Sequence, residues 1–440
     1  MGDAAGAVLT RRLRKDQFAP DTKASVNDFT LIVVGGGLAS ARTIRAYREA
    51  GGPGAIALIS CDSTIPYHRP PLSKRYLRGE AERADTLVEP ESFYDDNDVA
   101  LLLETEVVGV DPGERTITTR DGRRHRYRKL LLATGAVPRR LEVEGFDLPG
   151  VFTLRSLDDA TAIRSAAAPV RDAVVVGSGF IGMEVAASLT EIGLDVTLVS
   201  RDIDLFAQLG SPEISEHLVR LYRQRGVDIL RGDEVRAFRG RSRLDTVELH
   251  SGQPLGAGLA VVGVGVQPAV SFLDGNGIAV DDGIVVNERF ETNAPGVYAV
   301  GDVARFFDPL FGRGRRIEHW SNANYQGSEV GRILAGAHGG YDTVSSFFTE
   351  SFGLTLKVFG DISHHDDRVA RGSFADGNAI VFYLGNGRLV GTLHAGLDAQ
   401  SEDLLKELIR SQARPEDVRP LADEALSLDE ALAATAGDRT

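Results

Sequence analysis

The stretch FTLIVVGGGLAS, residues 29–40, decides the fold. Six residues rich in apolar and β-branched side chains read as a buried strand, three glycines follow, and a helical pattern runs from Leu38 to Ala50. The same order returns at 173–182 in AVVVGSGFIG, with a helix predicted from Met183 to Ile192 and Gly193 as its stop. In such a unit the first glycine makes the tight turn, the second lets a phosphate lie against bare backbone, and the third lets helix pack on strand. The anion then sits at the helix N-terminus, where unpaired N–H groups point at it. Gly35, Gly37 and Ser40 occupy these places in the first copy, the serine being small but not glycine; Gly177, Gly179 and Gly182 occupy them in the second. Two units about 142 residues apart predict an α/β protein with two Rossmann-like dinucleotide-binding domains.

Length and charge narrow the function. The chain has 440 residues, room for about three domains. Its 49 basic and 63 acidic residues leave a net charge of −14, which opposes binding to nucleic acid or anionic lipid. Apolar runs such as LIVV (31–34) are far too short to span a membrane. The one cysteine, Cys61, excludes an intrachain disulfide, a CxxC pair and any metal site built from several cysteines, so redox chemistry must sit on a bound cofactor. Cys61 itself reads as a small buried residue. His364 and His365, among Asp361, Asp366 and Asp367, read as an exposed turn and not as metal ligands. The TRRLRK segment (10–15) is followed by Asp16, Gln17, Pro20 and Asp21 where an export signal needs apolar residues. Residues 1–27 are therefore predicted to be a disordered arm, and the protein cytoplasmic.

Each glycine unit predicts an acid near the end of its second strand to hold a ribose diol. After AIALIS (55–60) the candidate is Asp62, the alternative being a solvated turn aspartate. After DVTLVS (195–200) there is no acid but Ser200 and Arg201, a hydroxyl and a guanidinium that suit a 2′-phosphate. The sequence thus leans to NADPH over NADH, with Asp202 and Asp204 close enough to blur the reading.

Three further segments follow in order: LLLATGAVPR (130–139), a strand breaking at Thr134 and Gly135; VYAVGDVA (297–304), a strand whose end carries Gly301 and Asp302; and IEHWSNANYQG (317–327), which enters a helix. With the two glycine loops they resemble the FAD-dependent pyridine nucleotide oxidoreductases. IPYHRPPLSKRYL (65–77) is similar to the signature of the ferredoxin reductase branch, which serves bacterial Rieske dioxygenases and haem monooxygenases. Disulfide reductases carry their redox cysteines at this place; here there are none.

The resemblance implies that Gly35, Gly37, Ser40 and Asp62 hold FAD, with Thr134, Gly135 and Gly301 nearby. It places Arg69 and Lys74 on the flavin side, Asp302 at the ribityl chain and Trp320 by the isoalloxazine. The helix near Ser321 would aim at the pyrimidine edge. Gly177, Gly179 and Gly182 would hold the nicotinamide dinucleotide, and Glu184 would pair with Lys74 and orient it; the alternative for Glu184 is a helix-start acid stabilised by the dipole. Lys74, Glu184 and Trp320 form the expected catalytic set, though a lone tryptophan can equally be core. Lys74 also stands out by composition, since only six of the 49 basic residues are lysine, and a point charge fits beside flavin N5 better than a planar fork.

The implied organisation is an FAD domain over 28–137 resumed at 266–340, a nicotinamide domain over 138–265, and an α+β C-terminal domain over 341–440. The last is read from strand-like runs at 352–360, 379–385 and 388–396 and a helix over 402–412. The implied partner is a [2Fe–2S] ferredoxin, met by Arg313, Arg315 and Arg316 unless these are a solvated loop; the protein would be a monomer or homodimer. Two rival readings stay open on the same fold. One is a reductase of a small oxidant such as quinone, oxygen or an ascorbate radical; the other is a non-enzymatic flavoprotein like apoptosis-inducing factor.

Overall fold

The computed structural model describes residues 27–435. The predicted arm lies outside them, except for Asn27, which opens the first strand. That strand, Asn27–Val34, runs parallel between Ile56–Ile59 and Arg124–Leu132, with Leu31 opposite both Ile56 and Lys129. All four residues of Ile56–Ile59 are buried, as a parallel strand covered on both faces requires. The chain leaves this sheet after Leu132, and far later Val297–Ala299 returns to pair in parallel with Leu130–Leu132.

The second glycine unit has its own five-stranded parallel sheet. Strand Asp172–Val176 lies between Asp195–Ser200 and Leu259–Val262, with Asp228–Arg231 and Val151–Phe152 at the edges. The antiparallel pair Ala136–Pro138 and Val266–Pro268 joins the outgoing and returning crossings. Helix Leu38–Glu49 follows the first loop as expected. The second begins at Phe180 and ends at Glu191, three residues earlier at its start than the apolar pattern suggested, because Gly179 is its N-cap.

C-terminally, five antiparallel strands form one sheet, in the order Ser346–Ser351, Leu354–Gly360, Arg388–Ala395, Asn378–Gly385 and Asp367–Ser373. The central three match the predicted runs. The two edge strands escaped the sequence reading because SFFTES and DRVARGS interleave polar or charged residues with few apolar ones, as edges do. Helix Ala399–Arg410 lies against this sheet, burying Leu405 and Ile409.

Helices Leu38–Glu49 and Trp320–Leu334 cross backbone to backbone. A Cβ on Gly327 would fall 2.5 Å from Ala39 O, and one on Gly331 would fall 2.6 Å from Thr43 O. Small residues on both sides thus dock the Trp320 helix directly on the helix that leaves the first glycine loop. Cys61 corrects the sequence reading: it is exposed, lying just past the buried strand in the turn that leads to Asp62.

His394, on strand Arg388–Ala395, is 1% exposed, and neither ring nitrogen has a hydrogen-bond partner among the described residues. Burial pushes it down to about 4, against the pull of Glu402, whose Oε1 lies 3.8 Å away. An unfolded histidine takes up its proton near about 6.5, so between these values the unfolded chain binds more protons and stability falls as pH falls. His394→Gln is expected to reduce the loss of unfolding free energy between pH 7 and pH 5 by about 2 kcal/mol. Urea titrations of both proteins at the two pH values check this; equal losses would show that His394 is not responsible.

Candidate functional site

A cleft of about 800 Å³ is lined by both glycine loops and by residues from all three sheets' surroundings. It opens at the carboxyl ends of the parallel strands, where α/β folds bind ligands. Gly35 has φ +123°, and a Cβ there would lie 2.1 Å from Ala133 O. Gly37 caps the following helix and faces the Arg69 guanidinium. Ser40 is fully buried, and its Oγ donates to Gly35 O at 2.6 Å, so it closes the loop from inside instead of facing the cleft. Asp62 sits beside Gly36 and accepts from the Tyr67 hydroxyl at 3.2 Å.

Arg69 and Arg155 form the basic wall. Arg155 Nη2 donates to Asp302 Oδ2 at 2.7 Å. Arg69 Nε has no hydrogen-bond partner among the described residues, and desolvation together with the Arg155 charge works against its own charge. Burial favours a neutral Asp302, but Arg155 and Arg69 outweigh it and hold the carboxyl below the ordinary aspartate range. Gly135 (φ +70°) packs close to Arg155, while Thr134 Oγ1 donates to Ala269 O at 2.9 Å. The N–H of Gly301 donates to Gln326 Oε1 at 2.8 Å, tying the Asp302 turn to the Trp320 helix.

Lys74 and Glu184 meet. Lys74 Nζ lies 2.7 Å from Glu184 Oε2, which also accepts from Ser73 Oγ at 2.5 Å, while Glu184 Oε1 accepts from Thr349 Oγ1 at 2.8 Å. Glu184 is 5% exposed. One buried carboxylate therefore gathers groups from the 70–74 turn, the second glycine helix and the C-terminal sheet. Thr349 and Arg155 were missed by sequence reasoning; a threonine in an edge strand and an arginine before a helix cap carry no local signal of this kind.

In the second loop a Cβ on Gly177 would fall 2.3 Å from Gly263 O, and one on Gly182 would fall 1.9 Å from Gly177 O. Gly179 faces open space, its nearest neighbour being Gln208 at 3.8 Å. Gly263 is a further close-approach glycine that lies outside the glycine motif. Ser200 is 1% exposed and its Oγ already contacts Ser178 Oγ and Asp202 O, both at 2.8 Å. The exposed Arg201 has Asp202 at 3.4 Å and Glu234 at 4.0 Å, and Asp233 lines the same end of the cleft.

At the other end, Phe180, His319 and Phe347 form an aromatic cluster, with His319 stacked on Phe347 at 4.0 Å. Trp320 and Phe348 lie at the cleft wall and are 37% and 47% exposed. Arg313, Arg315 and Arg316 lie on a strand, Arg313–Arg316, and not in a solvated loop, and each is ion-paired within the chain. Arg315 is held by Asp308 at 2.6 Å and Asp361 at 3.3 Å, Arg316 by Asp282 at 3.1 Å and Glu318, and Arg313 by Asp361 and His364. Each has a carboxylate within its own fold, Asp308 and Asp361 being buried. Asp361 is accordingly not part of an exposed turn.

The residues present fit two dinucleotides. Each loop has a backbone cradle that a Cβ would close at its turn, each opens at a helix N-terminus, and an arginine beside the first lacks a partner that an anionic pyrophosphate would supply. These features define a two-dinucleotide flavoprotein. The profile of the Pyridine nucleotide-disulphide oxidoreductase family matches residues 29–327, and that of the Reductase C-terminal family matches residues 346–432. The chain belongs to the pyridine nucleotide-disulphide oxidoreductase family, in its ferredoxin reductase branch, and is an FAD- and pyridine nucleotide-dependent oxidoreductase.

It is 32% identical over 419 residues to putidaredoxin reductase of Pseudomonas putida, covering 93% of this chain and 98% of that one. A ferredoxin–NAD(P)(+) reductase of a Sphingomonas species is 33% identical over 365 residues, 82% of this chain and 88% of the relative. The crystal structure of a covalent putidaredoxin reductase–putidaredoxin complex superposes with a TM-score of 0.88 at 31% identity, covering 94% and 100% of the two chains. Among the described residues, no helix is long and apolar enough to cross a membrane.

Proposed function

We propose that this protein carries electrons from NADH to a [2Fe–2S] ferredoxin that feeds an oxygenase. The observation that carries the reading is the Lys74–Glu184 pair, placed in the one cleft on which both glycine loops open. When bound, FAD supplies a ring that accepts a hydride and releases electrons singly. The segments 28–137 and 266–340 would hold it through Gly35, Gly37, Arg69 and Asp302, with Arg155 reaching Asp302 from the inserted unit. The inserted unit 138–265 would hold the nicotinamide dinucleotide through Gly177, Gly179 and Gly182. Residues 341–435 would brace the pair through Thr349.

Lys74 contributes a fixed positive charge. Its ammonium cannot wander, because Glu184 holds it and is itself held by Ser73 and Thr349. A preorganised cation of this kind favours negative charge developing beside it without reorganising. The first turn of helix Trp320–Leu334 adds unpaired N–H groups of the same sign. No side chain need act as acid or base; the cleft would position the two rings for hydride transfer.

For the nucleotide, the folded geometry supports NADH over the NADPH favoured by the sequence pattern. Ser200 is internally bonded, and Arg201 stands among Asp202, Asp233 and Glu234, so a 2′-phosphate would meet more negative than positive charge. Anaerobic stopped-flow reduction at 450 nm is expected to proceed at least about tenfold more efficiently with NADH, a difference of about 1.4 kcal/mol. Mixing the reduced protein with a [2Fe–2S] ferredoxin should then reoxidise it faster than quinone or oxygen does. Preference for NADPH would overturn the nucleotide assignment alone; indifference to ferredoxin would overturn the acceptor.

A further inference from the structure

We propose that His68 is a positioning residue for Trp320, holding the indole against the cleft wall only while its own imidazole is neutral. The Trp320 Nε1–H donates to His68 Nδ1 at 3.0 Å. The two rings are 5.7 Å apart and tilted by 42°, so they do not stack, and this hydrogen bond sets the indole's orientation. Trp320 is the first residue of its helix and is 37% exposed, and the bond to His68 is the polar contact its indole makes among the described residues.

His68 is itself anchored. Its backbone N–H donates to Thr86 O at 2.7 Å, and the adjacent Tyr67 bridges Leu87. An indole N–H can only donate, so Nδ1 must present its lone pair and the imidazole proton must sit on Nε2. A protonated imidazole has N–H on both nitrogens; two donors would then face each other and the contact would break.

The charged groups that act on His68 come from two elements. Arg42, on helix Leu38–Glu49, lies on one side, and Glu89, just after the Tyr67–Leu87 bridge, opposes it. Arg42 is fixed by Asn324 at 2.9 Å and Glu89 at 3.3 Å, and Arg45 also binds Glu89, so the carboxylate is shared between two guanidinium groups. Helix Trp320–Leu334 contributes only the neutral Asn324 to this cluster. Partial burial and Arg42 hold the imidazole below the ordinary histidine value, so it is neutral near pH 7 and takes up its proton only as pH falls. The latch therefore opens as pH falls, freeing an aromatic ring at the wall of the cleft that the proposed function, on which this rests, assigns to the two dinucleotides.

Because Trp320 is the only tryptophan, the full-length holoprotein grown with 5-fluorotryptophan gives a single fluorine resonance. Between pH 7.5 and 5 that resonance is expected to move along one titration with its midpoint below about 6.5. His68→Gln keeps an acceptor oxygen and cannot titrate; its resonance should stay at the wild-type pH 7.5 position throughout. His68→Phe should hold it near the acid position at every pH. His319, beside Trp320, is pushed down to about 4 by burial and lies outside this window. The proposal is overturned if either variant shows the wild-type titration, or if the wild-type resonance does not move. The readout needs no electron carrier, so it can fail while the proposed function stands, and the reverse.

Discussion

Replacing Lys74 with methionine is expected to slow flavin reduction by NADH about 10²–10³-fold, the usual loss when one preorganised electrostatic donor is removed. Methionine keeps a stem of similar length and deletes the charge. The difficulty is Glu184, 5% exposed, which would lose its counter-charge and keep only Ser73 and Thr349. Removing one partner of a buried pair destabilises by about 3–5 kcal/mol, so slow reduction could be confused with partial unfolding. The double variant Lys74→Met/Glu184→Gln separates the two. Neutral glutamine keeps hydrogen-bonding capacity without stranding a charge, so the melting temperature should recover while the rate stays low. Stopped-flow traces and melting curves of both variants decide it; a double variant that reduces at the wild-type rate would remove Lys74 from the chemistry.

Gly35→Ala is expected to yield protein without flavin, seen as loss of absorbance at 450 nm. Two effects coincide there: φ of +123°, which an L side chain rarely adopts, and a Cβ that would lie 2.1 Å from Ala133 O. The left-handed conformation alone costs about 1–2 kcal/mol. The clash adds displacement of the loop that should carry the pyrophosphate. Gly122→Ala is the matched control, because Gly122 also has positive φ (+84°) but nothing within 4 Å of the added Cβ. That variant should keep its flavin and lose only about 1 kcal/mol of stability. Flavin loss in both would assign the effect to backbone strain; retention in both would mean the first loop does not hold FAD.

What could be read in the sequence was local. Strand, glycine turn and helix follow one another within a dozen residues, so both loops and their helices were placed within a few positions, and Val297–Ala299 was found by its apolar run. What could not be read depends on distant partners. Arg155 reaches Asp302 across 147 residues, and Thr349 reaches Glu184 across 165. Ser200 and Arg201 show the difference most clearly. As a dipeptide they offer a hydroxyl and a cation to a phosphate, but the fold turns Ser200 inward and brings Glu234 alongside Arg201. Arg313, Arg315 and Arg316 likewise look like a free basic patch until Asp308, Asp361 and Asp282 are folded against them. The Lys74–Glu184 pairing was anticipated only through family resemblance, since nothing local links positions 110 residues apart.

The late return of Val297–Ala299 to the first sheet sets an order of assembly on the ribosome. Arg124–Leu132 emerges with one flank of its carboxyl half bare, and the strand that covers it follows about 165 residues later. At ordinary rates of synthesis that is a wait on the order of ten to thirty seconds. The inserted parallel sheet has all its strands between Val151 and Val262 and can close meanwhile. The segment made first is thus finished second, and its exposed apolar edge is the place where a nascent chain would most need a chaperone.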